Sequence, residues 1–295
     1  MNHFLEVSQF SRQEIDSLLK RAIHFKNSPS YPDYSRYTVA NLFYENSTRT
    51  RVSFEIAAKK LAMTVVNLDL QSSSESKGEI IEDTIKTLAA MGISLFVIRH
   101  NQDRLQQTLA TKFDKIQIVN AGDGQHAHPS QALLDLMTIY EQKPDLSQLK
   151  IAIVGNIRHS RVANSLQCLC SILGVKELAL IAPEIWQPQL VHYGYTTTSL
   201  SEGLKEADVV ICLRVQRERL QESEHLDLNT YREKFALTKD TLKYAKADAM
   251  VMHPGPINRG VEIDSDVADG PQSFILQQVT NGVFMRMAIL EALTM

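Results

Sequence analysis

Val39-Ala40-Asn41-Leu42-Phe43-Tyr44 is a short apolar run, and Glu45-Asn46-Ser47-Thr48-Arg49-Thr50-Arg51 follows it directly. An apolar run of this length, bounded by polar residues, reads as a buried strand. The polar run crowds three hydroxyls and two guanidiniums into positions 47–51, at the start of a helix-period segment. Strand, polar turn and helix make one βα unit. Repetition of that unit along the chain decides the fold.

Working outward, Ser11-Arg12-Gln13-Glu14 has the spacing of a capping box and predicts a helix to about residue 25. Further strands are predicted at 64–68, 94–98 and 116–120, each followed by a helix-period segment. The helix after Pro129 carries Leu133, Leu134, Leu136, Met137 and Tyr140, with proline in its first turn. Lys143-Pro144-Asp145 then breaks the pattern and marks a domain crossing. The second half repeats the architecture without repeating the sequence, with strands at 150–154, 177–181, 208–213 and 249–252. A last helix, about 272–293, would place Leu276, Val279, Val283, Met287 and Leu290 on one face. The expected fold is therefore α/β, with two doubly wound parallel-sheet domains joined by crossing helices. Expected bounds are 1–140 and 141–275, with the C-terminal helix 276–295 packing back on the first domain.

The 295 residues are 44% hydrophobic and 22% charged, ordinary for a globular protein with a full core. A net charge of −3 argues against a nucleic-acid or membrane surface, so any anion site must come from local Arg and Lys. Cys168, Cys170 and Cys212 cannot all pair, and no Cys/His set has zinc spacing. Reduced, buried thiols in a cytoplasmic protein are expected, with no metal. The first residues lack a signal-peptide pattern, and no apolar run approaches the ~18 residues of a membrane span.

In open α/β sheets, ligands collect beyond the carboxyl ends of the strands. The residues there are the candidates. Ser47, Thr48, Arg49 and Thr50 stand at a helix start, where backbone N–H groups and the helix dipole favour an anion. Hydroxyls add donors, and arginine offers a planar fork for phosphate. The alternative is a Ser/Thr N-cap followed by solvated arginines. The loop Gln71-Ser72-Ser73-Ser74-Glu75-Ser76-Lys77-Gly78-Glu79 carries one basic residue and reads equally as a solvated loop. Arg99 ends the third strand, where an anion site and a surface salt bridge are both open readings. His128 and Gln131, three apart at a helix start, can face one ligand. The positive helix end favours a neutral imidazole able to donate.

In the second half, Gly155-Asn156-Ile157-Arg158-His159-Ser160-Arg161 follows a strand but lacks the G-x-G-x-x-G spacing of a dinucleotide turn. Arg214-Val215-Gln216 follows the third strand of this half, and His253-Pro254-Gly255-Pro256 the last. Arg161 and Arg214 together suit a ligand with two carboxylates. A nucleotide-dependent oxidoreductase is disfavoured by the glycine spacing and by the lack of an acid at the ribose position.

Ser47-Thr48-Arg49-Thr50-Arg51 with Ser53-Phe54-Glu55 resembles the carbamoyl phosphate signature of the aspartate and ornithine carbamoyltransferase family. His128-Pro129-Ser130-Gln131 with Leu133-Leu134-Asp135 resembles its second motif, and the spacing fits nearly the whole chain. Arg214-Val215-Gln216, the Ser73…Lys77-Gly78-Glu79 loop and the segment 252–260 resemble the aspartate branch rather than the His-Cys-Leu-Pro pattern of ornithine enzymes. The chain departs from the family at Asn156, where Asp is usual, at Ile80 for Ser and at Ala127 for Gln, while Gly255 matches only some subfamilies. A non-catalytic homologue would be expected to have lost Arg49, Lys77 or His128, and all three are present.

The resemblance implies transfer of a carbamoyl group from carbamoyl phosphate to the amine of L-aspartate, in pyrimidine synthesis. It implies that Ser47, Thr48, Arg49, Thr50 and Arg99 hold the phosphate, with Ser73 and Lys77 reaching in from a neighbouring subunit. Thr50, Arg99 and His128 would bond the carbamoyl oxygen, and Gln131 with the 254–255 backbone (Pro254, Gly255) would take its NH₂. Arg161, Arg214, Gln216 and Lys77 would bind aspartate. It implies no cofactor, because phosphate is already a good leaving group. A homotrimer with shared sites is expected, and some relatives add regulatory or dihydroorotase-type chains.

Overall fold

The computed structural model describes residues 1–68, 78–216, 224 and 226–294. The chain divides into two compact units, residues 1–137 with 279–295, and residues 138–278. Each holds one sheet, and all strand pairings within the two sheets are parallel.

In the first unit the strands are β1 (Thr38–Phe43), β2 (Thr64–Asn67), β3 (Leu95–His100) and β4 (Gln117–Asp123), in spatial order β2-β1-β3-β4. Side chains alternate across a strand, so Ala40, Leu42, Phe96, Ile98 and Ile118 line one face. They meet Ile85 and Leu88 from α3 (Ile81–Ala90) and Leu105 and Leu109 from α4 (Leu105–Ala110). Val39, Leu95, Val97 and Val119, the intervening residues, are also fully buried. Burial on both faces is why these strands read as continuous apolar runs. α1 (Arg12–Asn27) opens with the expected capping box. Ser11 Oγ accepts from the Glu14 N–H, and the Glu14 carboxylate accepts from the Ser11 N–H at 2.8 Å.

The second unit orders its strands β7-β6-β5-β8-β9, with β5 (Lys150–Val154), β6 (Glu177–Ile181), β7 (Tyr195–Thr197), β8 (Val209–Cys212) and β9 (Met250–Met252). β7 has no counterpart among the predicted strands. It is a three-residue edge strand of half-buried polar side chains, so no apolar run announces it.

Two helices run across the boundary between the units, α5 (Pro129–Gln142) and α11 (Ile275–Thr294); between them in the chain come α6 (Arg161–Leu173), α7 (Leu200–Leu204), α8 (Leu228–Phe235), α9 (Lys239–Leu242) and α10 (Ser265–Ala268). The single apolar face predicted for the last helix is not what the structure shows. Leu276 and Val279 are exposed, whereas residues 285–291 are buried all round. The helix becomes enclosed only after it enters the first unit. There Arg21 of α1 makes a paired contact with Glu291, Nε and Nη2 donating at 2.5 and 2.6 Å, and Tyr34 adds a third donor.

Candidate active site

The sheet order sets where ligands can collect in each unit. In the first, the chain moves from β1 outward to β2, then returns to lay β3 on the other side of β1. The switch point is therefore between β1 and β3, and the turns leaving those two strands diverge around a crevice. α2 (Thr48–Lys60) begins directly after β1, with Ser47 as its N-cap residue. The Ser47 side chain caps none of the helix N–H groups, so the simple N-cap alternative does not account for it. Thr50 is buried in the first turn. Arg49 is exposed, yet nearby protein atoms desolvate its guanidinium and draw its pKa below the usual arginine value. Among the described residues it has no acid partner.

Phe43 pairs with Arg99 in the β1–β3 register, which brings Arg99 beside the polar turn. The register of β3 against β4 slips between Ile98 and His100, a bulge that re-aims the strand end. Arg99 donates Nε to Glu45 at 3.1 Å and Nη1 to the Ala121 carbonyl at 3.5 Å. Its two readings thus combine, because the acid it meets belongs to the polar turn itself.

His128 is buried and immediately precedes Pro129, the first residue of α5. The loop that delivers it is tied by Asp123, fully buried at the end of β4. The Asp123 carboxylate accepts from the Ala127 and Arg104 N–H groups, from Asn120 Nδ2 and, at 2.9 Å, from His126. Burial would raise the Asp123 pKa, but bonds from His126 and Asn120 outweigh it and hold the group below its ordinary value. Asp123 in turn holds His126 above its own, burial opposing.

Gln131, also buried, lies one turn into α5 and donates Nε2 to Asp135 at 2.9 Å. Arg286 of α11 is buried, with its pKa drawn down to about 10 by burial and partly restored by the Asp135 charge. Arg286 reaches the Ser130 hydroxyl at 3.4 Å and sits 5.0 Å over the Phe54 ring of α2.

In the second unit the switch point is between β5 and β8. Gly155 directly follows β5 at φ +134°, and a Cβ there would come within 2.9 Å of the Leu213 carbonyl oxygen just beyond β8. Only glycine lets the two strand ends approach so closely. α6 (Arg161–Leu173) starts at Arg161, with Ser160 Oγ accepting from the Ala163 N–H at 3.1 Å. Arg161 is buried, and Arg214 and Gln216 are half-buried beyond β8. The two arginines thus leave the two strands that flank one switch point.

The turn after β9 is tied to the same region. Asn258 donates Nδ2 to the Val215 carbonyl at 3.3 Å and its N–H to Glu262 at 2.6 Å. His253 accepts from the Gly255 N–H at Nδ1, so its proton sits on Nε2 and faces Glu262 at 3.3 Å. Both side chains are fully buried, and they fix the start of the turn that carries Pro254 and Gly255.

Asn156 puts a neutral amide, where the family usually has a carboxylate, into the turn that carries Arg158 and Arg161. Its buried Oδ1 accepts from the His159 N–H at 3.3 Å and from the ring Nδ1 at 2.9 Å. Glu224 supplies the acid, 3.6 Å from Arg158 and 3.3 Å from His159. Sequence reading missed Glu224, His159, Glu262, Asp135 and Arg286. Asp135 stands within the quoted second motif and His159 within the quoted residues 155–161, but neither carries a signal of its own there, and Glu224, Glu262 and Arg286 stand in no quoted motif.

Ser73 and Lys77 lie outside the described residues. Among the described residues no cluster of His, Cys, Asp and Glu is arranged to hold a metal, and no helix is long and apolar enough to cross a membrane. The cysteines are free thiols, and burial pushes Cys170 up to about 12.

Two α/β units, each with basic residues gathered at its switch point, match a known class throughout. Residues 2–141 match the carbamoyl-P binding domain of aspartate/ornithine carbamoyltransferases, and residues 147–293 match their Asp/Orn binding domain. The chain belongs to the aspartate/ornithine carbamoyltransferase family. It is 70% identical over 294 residues to the aspartate carbamoyltransferase catalytic subunit of Legionella pneumophila strain Paris, covering 99% of each chain. It is 48% identical to that of Coxiella burnetii strain RSA 493, covering 98% of this chain and 95% of the relative. Among solved structures it resembles the aspartate transcarbamoylase of Trypanosoma cruzi in complex with carbamoyl phosphate and aspartate. That match has 29% identity and a TM-score of 0.86, covering 98% of this chain and 96% of the other. Ornithine carbamoyltransferase from Thermus thermophilus also superposes, with 25% identity, a TM-score of 0.88 and 99% coverage of both.

Proposed function

We propose that this protein transfers the carbamoyl group of carbamoyl phosphate to the α-amine of L-aspartate, giving N-carbamoyl-L-aspartate and phosphate in de novo pyrimidine synthesis. The observation that carries the choice of acceptor is the second switch point. It presents Arg161 and Arg214, and the carboxylates nearest to it are already engaged, Glu224 with Arg158 and His159 and Glu262 with His253 and the Asn258 N–H. A dicarboxylate matches two guanidiniums. Ornithine would need an acid for its side-chain amine.

In this reading Ser47, Thr48, Arg49 and Thr50 hold the phosphate at the α2 N-terminus, and Arg99 adds charge. Thr50, Arg99 and His128 donate to the carbamoyl oxygen, while Gln131 and the Pro254 carbonyl accept from its NH₂, beside Gly255. Arg161, Arg214 and Gln216 bind aspartate. The neutral amine attacks the carbonyl carbon, forming the C–N bond, and the resulting oxyanion meets the same donors. One such donor is typically worth about 3 kcal/mol. The bond from carbon to the phosphate oxygen then breaks, and the departing phosphate takes the amine proton. Transfer requires the two ligands within attack distance and away from water. No step calls on a metal or cofactor.

A homotrimer is part of the same reading, with Ser73 and Lys77 supplied by the adjacent subunit. Val52 and Ile56, four apart on α2 and both exposed, offer apolar surface for such a contact. A cytoplasmic enzyme follows from its metabolic place.

Equilibrium binding of N-(phosphonacetyl)-L-aspartic acid, which joins both halves of the reaction in one molecule, tests the assignment. Arg49→Ala and Arg214→Ala should each weaken binding about 100-fold, the usual cost of leaving a ligand charge unpaired. Native affinity in either folded variant would remove that arginine from the site.

A further inference from the structure

Gln131 holds a primary amide, which has a donor end and an acceptor end. Its Nε2 donates to Asp135 at 2.9 Å, one helical turn further along α5. A carboxylate accepts and cannot donate. With Asp135 ionised, the amide has one orientation, and Oε1 becomes its outward polar end.

Asp135 and Arg286 are both buried, and the Asp135 charge favours the protonated guanidinium of Arg286. A carboxylate at that depth stays ionised only opposite a cation. Arg286 has contacts that hold it there. Its Nη1 donates to the Gly282 carbonyl one turn back on α11 at 3.1 Å, and Nη2 reaches the Ser130 hydroxyl in the first turn of α5. The guanidinium also lies over Phe54 of α2, the helix whose first turn carries Arg49 and Thr50. One buried cation therefore touches both helices that start at the proposed phosphate and carbamoyl positions.

We propose that the buried Asp135–Arg286 pair is a specificity-determining positioning device. It locks the Gln131 amide with its acceptor toward the substrate, so that the site selects an acyl phosphate bearing NH₂ over one bearing CH₃. This rests on the function proposed above. Neither residue touches substrate; both act through Gln131 and the helix starts.

The test compares carbamoyl phosphate with acetyl phosphate, which lacks the NH₂. Asp135→Asn can either donate or accept, so the amide is no longer held in one orientation. The ratio of the acetyl phosphate Ki to the carbamoyl phosphate KM should fall about tenfold, the worth of one hydrogen bond to a desolvated donor. Inhibition by inorganic phosphate and the KM for aspartate should stay unchanged, whereas general damage would move all of them together. In a Gln131→Ala background, Asp135→Asn should change the ratio no further. Should Asp135→Asn not fold, Arg286→Gln removes the charge opposite Asp135 and should lower the same ratio, whereas Arg286→Lys, which keeps the charge, should lower it less. A folded variant with the wild-type ratio overturns the proposal while leaving the carbamoyl-transfer reading intact. A wild-type protein that turns over no carbamoyl phosphate overturns both.

Discussion

Arg49 and Arg99 leave adjacent strands of one sheet and differ in their company. Arg99 has Glu45 at 3.1 Å, whereas Arg49 has no acid partner among the described residues. The paired cation is held in place by its acid, and the proposed role of the other is to meet a ligand anion. This difference could not be read from the residues alone, since both sit near the same polar run. It depends on the β1–β3 register that sets Phe43 beside Arg99. The hydroxyls and arginines of 47–51 were legible because the chemistry is consecutive in the chain. The support for Gln131 was not, because Ser130 and Arg286 are 156 positions apart. His126 carries a prediction at this scale. Its pKa in the folded protein is raised above the ordinary 6.5, chiefly by the bond to Asp123. A raised folded value means that its contribution is fully present below the unfolded pKa and is lost as pH rises through the folded one. Wild-type melting temperature should therefore decline across that window above pH 6.5, and His126→Gln should flatten the decline. Equal slopes in thermal melts of the two proteins would assign the pH dependence elsewhere.

At the scale of elements, strands buried on both faces and helices opened by caps were readable, because burial and capping each demand particular residues locally. β7 and the burial of α11 were not. A short edge strand needs no apolar run, and the environment of α11 changes along its length as it passes from one unit to the other. Gly155 shows why the turn after β5 is not a dinucleotide turn despite its glycine. Its freedom is spent on the close approach of Leu213 at the switch point. Gly155→Ala should destabilise the protein by about 1–3 kcal/mol, the cost of a strained backbone position, before counting the contact itself. It should also raise the KM for aspartate more than that for carbamoyl phosphate, since the displaced ends carry Arg161 and Arg214. Denaturant titration and steady-state kinetics read the two effects. A variant as stable as wild type would show that the approach tolerates a methyl group.

At the scale of the whole molecule, the alternation of βα units implied two parallel sheets, and the structure has two. The family and its division of labour follow from matches across both halves of the chain. Assembly rests on a different kind of argument, because Ser73 and Lys77 fall outside the described residues and their proposed role lies in a neighbouring subunit. Complementation tests it. Lys77→Ala and Arg49→Ala chains, each nearly inactive alone, should regain up to about a quarter to a third of the wild-type activity when mixed into trimers with one intact shared site, as effective local concentration requires only that both halves meet. Mixed trimers that stay inactive would place Lys77 in the site of its own chain.

The central claim is the acceptor. Purified protein should be incubated with carbamoyl phosphate and either L-aspartate or L-ornithine, following phosphate release together with the carbamoylated product. With aspartate, phosphate and N-carbamoyl-L-aspartate should appear in equal amounts, and with ornithine neither product should form. Turnover with ornithine and not with aspartate would contradict it, leaving the first unit's phosphate site standing and the assignment of Arg161 and Arg214 overturned.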